Sequence, residues 1–417
     1  MENNEMTPKI RFKGFSDPWE QRKLGNVGSS YSGLSGKTKD DFGHGEAKYV
    51  TYKDIFDNEL IVNTEKFDNI GIDNSQNLVN KGDALFTISS EIPEEVGMSS
   101  VLMVTVPNLY LNSFCFGFRP NNSLSSLFLG YLFRSNYFRK KVQILAQGIS
   151  RYNISKKKVM DINLIYPAEY LEQYKIGSLL KSIDQLITAN ERKIELLKEE
   201  KKLIITMLLN LFWRFKGFDN PWLKCKFEFL LDVNDGIRRG PFGSSLKKDV
   251  FVSKSDYVVY EQRNAIYDNY ETKYNISKEK FEELKKFEIK PNDFIMSGAG
   301  TIGKISKVPF GIKEGVFNQA LIRFRINKKF TDSNFFINFI RADFMQKKLT
   351  KANPGSAITN LVPMSEVKKW FVNIPEKKEQ EKIGLILDII DKKIKIKRSN
   401  IKDLKKVKKY LLQNMFI

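Results

Sequence analysis

A long amphipathic helix that occurs twice constrains this chain of 417 residues more than any other feature. Its two copies open with Glu172-Gln173-Tyr174-Lys175-Ile176-Gly177 and with Glu379-Gln380-Glu381-Lys382-Ile383-Gly384, which lie 207 positions apart. After both openings, apolar residues recur at steps of three and four, a spacing typical of a helix with a coiled-coil seam. We therefore predict two helical rods, over about residues 171–212 and 379–416, each roughly 60 Å long.

The apolar stripe of each rod is too narrow to form a core alone, so each rod needs a partner helix. We predict that the two rods pair with each other as an antiparallel coiled coil. Polar residues interrupt the stripes at matching places, namely Asn190, Lys201, Lys397 and Lys408. Either these residues are buried and fix register and orientation, or they lie in solvent at the edge of the seam; the sequence leaves both possibilities open. The predicted seam residues are Ile176, Ile183, Ile194, Leu197, Ile383, Ile390, Ile401 and Leu404.

A second repeat shows that the duplication covers the whole chain. The run Arg11-Phe12-Lys13-Gly14-Phe15-Ser16-Asp17-Pro18-Trp19 returns as Arg214-Phe215-Lys216-Gly217-Phe218-Asp219-Asn220-Pro221-Trp222. The chain is therefore two tandem halves of about 200 residues. Each half ends with a short strand leading to a proline, Pro167 or Pro375, just before its rod.

Between each opening and its rod, β-branched and aromatic runs alternate with clusters of Gly, Asn, Asp and Ser, which predicts a mixed α/β domain. A single helix is expected late in each half, over about 126–146 and 333–349. We expect domains at 1–167 and 213–375, with rods at 168–212 and 376–417, related by an approximate twofold. The predicted strands are 49–52, 84–88 and 100–106 in the first half and 257–260, 294–296 and 320–326 in the second.

Charge indicates the kind of partner. The formal net charge is +20, and basic proteins that lack a membrane segment most often bind nucleic acid. The alternative is a lysine content raised throughout by an AT-rich genome. No apolar run is long enough to span a bilayer and the first ten residues are polar, so we expect a soluble cytoplasmic protein. Cys115 and Cys225 are far apart, which makes a disulfide framework or a zinc site improbable.

The residues for catalysis are largely missing. His44 is the only histidine, which excludes HExxH metal sites and disfavours Ser-His or Cys-His catalysis. The run Gly298-Ala299-Gly300-Thr301-Ile302-Gly303-Lys304-Ile305 satisfies GxGxxG, but Ile305 stands where a phosphate-binding loop needs Ser or Thr. No helical pattern follows that run, so we interpret it as a glycine-rich turn between strands. We predict no catalytic and no metal-binding residues in this chain.

Polar loops recur at matching places in the two halves and suggest a shared surface for DNA. Base edges are read by Arg, Lys, Asn, Gln, Ser and Thr, while phosphates are held by Lys, Arg and backbone amides. For any single residue, a solvated loop side chain is an equally good interpretation. The candidates of the first half are Ser29, Ser30, Lys37, Tyr52, Lys53, Ser89, Ser90, Arg151 and Tyr152. Those of the second half are Arg238, Arg239, Ser244, Ser245, Lys247, Gln262, Arg263, Asn264, Ser297, Thr301, Lys304, Thr359 and Asn360.

Over nearly its full length the chain resembles the specificity subunits of type I restriction-modification enzymes. The resemblance rests on the tandem halves, the openings at Arg11 and Arg214, the Glu-Gln-x-Lys-Ile-Gly starts of both rods, and the ending from Lys408 to Phe416. It implies two target recognition domains, each reading one half of a split DNA sequence, held apart by the helices. Because the two loop sets differ in sequence, we expect the two half-sites to differ.

The resemblance also implies partners and cofactors. Two modification subunits would dock on the helices and methylate adenine, and restriction subunits that translocate DNA would cleave it. S-adenosylmethionine, ATP and magnesium are expected on those partners and not on this chain. The alternative is a freestanding architectural protein that bridges two DNA segments without enzyme partners.

Overall fold

The structure, a computed structural model, describes residues 6–210, 212–352 and 359–417, without the side chains of residues 243, 244, 351, 352, 359 and 360. The chain divides into two compact units, Met1–Arg192 with Arg398–Ile417, and Lys193–Lys397. The central rod is the helix Tyr170–Leu209 and the C-terminal rod is the helix Lys377–Asn414. Both rods were predicted within a few residues, although Leu211 near the predicted end of the first lies outside the described residues.

The first unit is built on a five-stranded sheet. Its central strands, Ala84–Thr87 and Ser99–Leu102, are buried along their whole length, as expected for strands covered on both faces. In spatial order the strands are Gly28–Ser32, Cys115–Pro120, Ala84–Thr87, Ser99–Leu102 and Leu60–Ile61. A three-stranded sheet contains Asp68–Ile70, Phe42–Val50 and Leu109–Leu111, and two-stranded ribbons pair Glu20–Lys23 with Asn163–Tyr166 and Ser89–Ser90 with Tyr152–Asn153.

The second unit repeats this plan. Its strand Tyr257–Tyr260 pairs in parallel with Gly315–Phe317, just as Phe42–Val50 pairs in parallel with Leu109–Leu111. One four-stranded sheet has the order Ile237–Arg239, Leu321–Phe324, Phe294–Ser297, Ile305–Lys307, and the other has Phe251–Val252, Tyr274–Ile276, Tyr257–Tyr260, Gly315–Phe317. Ribbons pair Leu223–Lys226 with Phe371–Ile374 and Thr350–Ala352 with Thr359–Leu361.

The single helix predicted late in each half is two helices. In the first unit Ser135 caps the second helix by accepting a hydrogen bond from the Phe138 N–H, which breaks the helical run. The split helices are Ser126–Leu132 with Asn136–Ile144 and Ser333–Arg341 with Asp343–Leu349. The short helices are Tyr52–Asp57, Lys156–Met160, Gln262–Tyr267, Lys278–Glu283 and Met364–Val367. The 3-10 turns are Leu24–Asn26, Lys39–Asp41, Pro93–Glu95, Phe227–Leu230, Gly243–Leu246, Lys248–Val250 and Lys285–Phe287.

The repeated opening of the first half fastens the first unit to the central rod. Glu172 in the first turn of the rod is only 1% exposed and accepts two hydrogen bonds from Arg11, at 2.7 and 2.9 Å. The indole N–H of Trp19 donates to the same carboxylate at 3.4 Å. The hydrogen bond to Glu172 raises the pKa of Arg11. We call this arrangement the rod lock; its charge-assisted hydrogen bonds offset part of the desolvation cost of the buried carboxylate.

The second unit carries the same rod lock. Arg214 donates to the buried Glu379 at 3.1 and 2.8 Å, and the indole N–H of Trp222 donates to it at 3.2 Å. Sequence reasoning used both openings as family signals without giving these side chains a role. Their recurrence at matching positions, with an Arg, a Trp and a Glu each time, was the signal that could have revealed it.

The residue after each glutamate ties loop backbone to the rod. Gln173 accepts from the Ser125 N–H at 2.8 Å and donates to the Pro167 carbonyl at 2.9 Å. Gln380 makes the corresponding bond to the Pro375 carbonyl at 2.9 Å. Because each amide satisfies a buried donor and a buried acceptor, it fixes where the chain enters the rod.

The glycine of each opening permits close helix packing. A Cβ on Gly177 would lie 2.9 Å from the Phe128 backbone nitrogen, and one on Gly384 would lie 2.8 Å from that of Phe335. With a larger residue at Gly177 or Gly384, the helices that contain Phe128 and Phe335 could not approach the rods so closely.

Within each unit, parts of the two rods run antiparallel, as predicted. In the first unit Lys408 contacts Asp184 at 2.7 Å and Lys405 contacts Glu191 at 3.2 Å, so position numbers fall on one rod as they rise on the other. In the second unit Lys201 contacts Asp391 at 2.6 Å. Six predicted seam residues are buried and two, Ile401 and Leu404, are half-buried; the buried ones are Ile176, Ile183, Ile194, Leu197, Ile383 and Ile390.

Two of the polar residues that interrupt the apolar stripes, Lys201 and Lys408, form largely buried ion pairs. The side chains of Lys201 and Lys408 are each 13% exposed and each meets an aspartate of the facing rod, while Lys408 also contacts Glu59 at 2.9 Å. Burial lowers the pKa of Lys201, although Asp391 opposes this shift. Asn190 and Lys397 are half-buried, and the Asn190 amide donates to the Leu186 carbonyl of its own rod. A buried role in fixing register therefore fits Lys201 and Lys408 better than Asn190 and Lys397.

Candidate nucleic-acid interface

One end of a sheet in the second unit gathers several predicted DNA contacts. The strands Ile237–Arg239 and Phe294–Ser297 flank Leu321–Phe324 and both run antiparallel to it, so both finish at the same end of the sheet. The loops that follow therefore start side by side. We call this end, with its loops and the short helix beneath them, the second reading surface. Of the predicted residues, Arg239, Thr301 and Lys304 belong to its strand and loop and Gln262 and Arg263 to the helix, while Ser245 and Lys247 follow Arg239 along the chain.

The glycine-rich run 298–304 is the loop of a β-hairpin, as predicted, since it joins Phe294–Ser297 to the antiparallel strand Ile305–Lys307. Ser297 is fully buried; its hydroxyl donates to the Thr301 carbonyl and accepts from the Lys304 N–H at 3.0 Å. Ser297 therefore shapes the loop from within. Thr301 and Lys304 are exposed, and their side chains are free to meet a ligand.

A short helix supports that loop. Gln262, the first residue of Gln262–Tyr267, lies under the loop, because a Cβ on Gly300 would be 3.3 Å from its amide nitrogen. Asn264 is buried; it accepts from the Glu261 N–H at 2.7 Å and donates to the carbonyls of Asn269 and Glu271. Those bonds occupy its amide inside the fold, whereas Arg263 is half-buried at the surface.

The two neighbouring arginines have different surroundings. Arg238 donates to Asp235 at 2.8 and 3.0 Å, and Asp235 also pairs with Arg323 and Arg325. Burial alone would raise the pKa of Asp235, but these arginines outweigh it and lower that pKa. Arg239 is exposed and makes no ion pair with any residue in the described part of the chain. Arg239 is thus the better placed of the two for a phosphate.

The first unit has a corresponding surface. Its short helix begins with Tyr52, whose hydroxyl donates to the Ser89 carbonyl at 2.8 Å. Burial raises the pKa of the Tyr52 hydroxyl. The Ser89–Ser90 strand pairs with Tyr152–Asn153. Ser89 and Ser90 are themselves buried, while Lys53 and Arg151 are exposed beside them. We call this group the first reading surface; it consists of Tyr52, Lys53, Ser89, Ser90, Arg151 and Tyr152.

The remaining predicted residues are not gathered there. Ser29 and Ser30 lie on the edge strand Gly28–Ser32, and Lys37 is held by Asp73 at 2.7 Å, a contact that raises the pKa of Lys37. The side chains of Ser244, Thr359 and Asn360 are outside the described part of the structure. Base or phosphate contact by any individual candidate stays a prediction.

The described residues offer neither a metal-ion cluster nor a membrane-spanning helix. They contain no group of three or more His, Cys, Asp and Glu side chains placed to hold a metal ion. None of the helices they form combines the length and the apolar character needed to cross a membrane.

Comparison with known proteins identifies the family. The family model for the type I restriction modification DNA specificity domain matches residues 16–199 and 242–406, which is most of the chain. The chain belongs to this family. The two matched segments correspond to the two tandem halves, so the protein is a type I specificity subunit with two recognition domains.

Individual relatives agree with this assignment. A putative type I restriction enzyme MjaX specificity subunit of Methanocaldococcus jannaschii is 24% identical over 305 residues, covering 70% of this chain and 68% of that protein. The crystal structure of a type I system S subunit from M. genitalium superposes with a TM-score of 0.58 at 13% identity, over 99% of both chains. A structure from work on complex assembly and conformational transition of the type I R-M system gives a TM-score of 0.55 at 17% identity, over 97% and 98%.

These similarities confirm the predicted mixed α/β fold with two recognition domains and two long helices. None of them supports the alternative of a freestanding architectural protein.

Proposed function

We propose that each unit reads one half of an asymmetric, bipartite target in double-stranded DNA through its reading surface. The observation that carries this proposal is that equivalent sheet ends in the two units gather polar loops with different residues. Tyr52 and Gln262 begin equivalent capped helices and touch the loop after the equivalent strand, yet one is a phenol and the other an amide. Different side chains at equivalent positions favour different bases.

The rods set the distance between half-sites and provide docking sites for partners. We propose that two modification subunits bind this chain and methylate adenine, and that restriction subunits translocate and cleave DNA. S-adenosylmethionine, ATP and magnesium would be bound by those subunits, and this chain would contribute recognition without catalysis. Because the target is cellular DNA, we propose a cytoplasmic location.

Methylome sequencing tests the proposal in cells that express this chain with and without its modification subunit. We expect an asymmetric bipartite N6-methyladenine motif that requires both proteins. The double variant Thr301→Ala and Lys304→Ala should relax or abolish one half of that motif, and Lys53→Ala with Arg151→Ala should affect the other half. No motif from a complex shown to assemble would contradict the proposal, as would variants that alter both halves equally.

A further inference from the structure

A largely exposed aromatic ring lies in the loop that follows Arg239 at the second reading surface. The Phe242 side chain is 89% exposed, although the chain on both sides of it is anchored. Pro241 before it is buried, and Leu246 after it belongs to a buried apolar cluster. The Phe242 carbonyl accepts from the Ser245 N–H at 2.9 Å, closing a tight turn. The ring therefore belongs to a loop that is held by buried residues before and after it.

The start of the loop that presents Phe242 has the same plan in both units. A Cβ on Gly240 would lie 1.9 Å from the Asn318 carbonyl oxygen, and one on Gly33 would lie 2.1 Å from that of Asn112, so both loops need glycine there. The next residue is buried in both units, as Pro241 and as Leu34. Two positions after the glycine, the second unit has Phe242, whereas the first has an exposed serine at position 35.

The charged residues that flank Phe242 in the sequence suit a polyanion. Arg239 precedes it on the edge strand, and Lys247 and Lys248 follow it; all three are exposed and, in the described part of the chain, have no recorded ion pair. Arg238, by contrast, points its guanidinium to Asp235. A large exposed apolar side chain with exposed cations before and after it along the chain fits a DNA duplex, in which anionic phosphates flank apolar base faces.

We propose that the Phe242 ring stacks on a base of the half-site read by the second unit, by entering a base step. Both faces of an internal base are covered by its neighbours in a duplex, so a protein ring reaches a face only where a step opens. The first unit, with Ser35 at the equivalent position, opens no such step. This inference rests on the proposed DNA-reading function and assigns the second half-site an unstacking contact that the first lacks.

Duplexes carrying 2-aminopurine test the proposal, because this base fluoresces more strongly when it is unstacked. The intact complex of this chain with its modification subunits is bound to target duplexes labelled at successive non-methylated positions of both half-sites. For the unaltered protein we expect a rise at one step of the second half-site. Phe242→Ala should abolish that rise and weaken binding about 5-fold to 150-fold, the range expected for losing one base–aromatic stack. Phe242→Trp should retain the rise.

The control variant is Ser35→Ala, which should change neither the affinity nor the fluorescence. A flipped target adenine would also disturb stacking, but its signal should survive in Phe242→Ala. Unchanged affinity and fluorescence in Phe242→Ala would overturn the proposal. Weaker binding without any Phe242-dependent rise would also overturn it, because the ring would then act without entering a step. Failure of the unaltered complex to bind any bipartite duplex would instead contradict the proposed function itself.

Discussion

The rod lock of the first unit yields a quantitative prediction. Replacing Glu172 by Gln keeps the shape of the side chain but removes its charge, leaving Arg11 opposite an amide. Breaking a buried pair by altering one partner typically costs about 3–5 kcal/mol. Glutamine keeps one acceptor for the guanidinium, which recovers about 1 kcal/mol. We therefore expect Glu172→Gln to lower the free energy of unfolding of the first unit by about 2–4 kcal/mol.

Thermal and urea unfolding followed by circular dichroism measure this loss. For a unit of about 200 residues, each kcal/mol shifts Tm by about 2–4 °C, so a fall of roughly 4–16 °C is expected in the transition of that unit. Glu379→Gln should destabilise the second unit similarly, since its pair with Arg214 has nearly the same geometry.

An exposed pair in the same unit provides the matched control. Glu20 accepts from Arg22 at 2.8 Å, close to the 2.7 and 2.9 Å of the lock, but these side chains are 38% and 56% exposed. Solvent screens such pairs, so Glu20→Gln should cost less than about 1 kcal/mol. If Glu172→Gln and Glu20→Gln give equal losses, burial does not govern the strength of the lock and the reasoning is refuted.

Two further predictions concern charge. Burial alone would raise the pKa of Glu59, but the charge of Lys408 outweighs burial, and the pKa of Glu59 is lowered. The ionised Glu59 therefore stabilises the folded unit above the ordinary glutamate pKa. This stabilisation is lost as the pH falls through the lowered pKa. The free energy of unfolding, measured between neutral and acidic pH, should therefore fall less steeply with decreasing pH in Glu59→Gln than in the unaltered protein. An equally steep fall in both proteins would count against the ion pair. Arg239→Ala should reduce the slope of log affinity against log salt by about 1, whereas Arg238→Ala should leave the slope unchanged and lower stability; equal slopes for both variants would contradict the assignment.

The rods and the tandem plan were predictable because their signals are local and periodic. Steps of three and four report a helix from neighbouring residues alone, and the repeated openings give the duplication without any knowledge of contacts. The six strands predicted inside the domains were located for the same reason, although their ends were set by hydrogen bonds that the sequence does not display: the predicted strand 49–52 ends at Val50, and Tyr52 begins a helix. Many other strands of the two units were not predicted. The helix break at Ser135 was missed, because a serine that caps a helix resembles one on a helix surface.

The orientation of individual polar side chains was much less predictable. Ser297 and Asn264 lie in loops whose composition suits DNA contact, yet their polar atoms bind loop backbone. Arg238 and Arg239 are adjacent and chemically identical, and only the position of Asp235 separates their roles. Such differences arise from which buried donors and acceptors need partners, a requirement that appears only after the chain is folded.

The positions of the two locks suggest why one plan can serve many targets. Arg214 and Trp222 precede most of the second recognition domain and Glu379 follows it, so the groups that fasten this unit to its rod lie near the ends of that segment. The reading surface is instead made by loops in the middle of that segment, around Arg239 and Thr301. None of the lock's side-chain bonds involves those loops. The loops can therefore change their residues, and with them the half-site, while the entry of the chain into the rod stays the same.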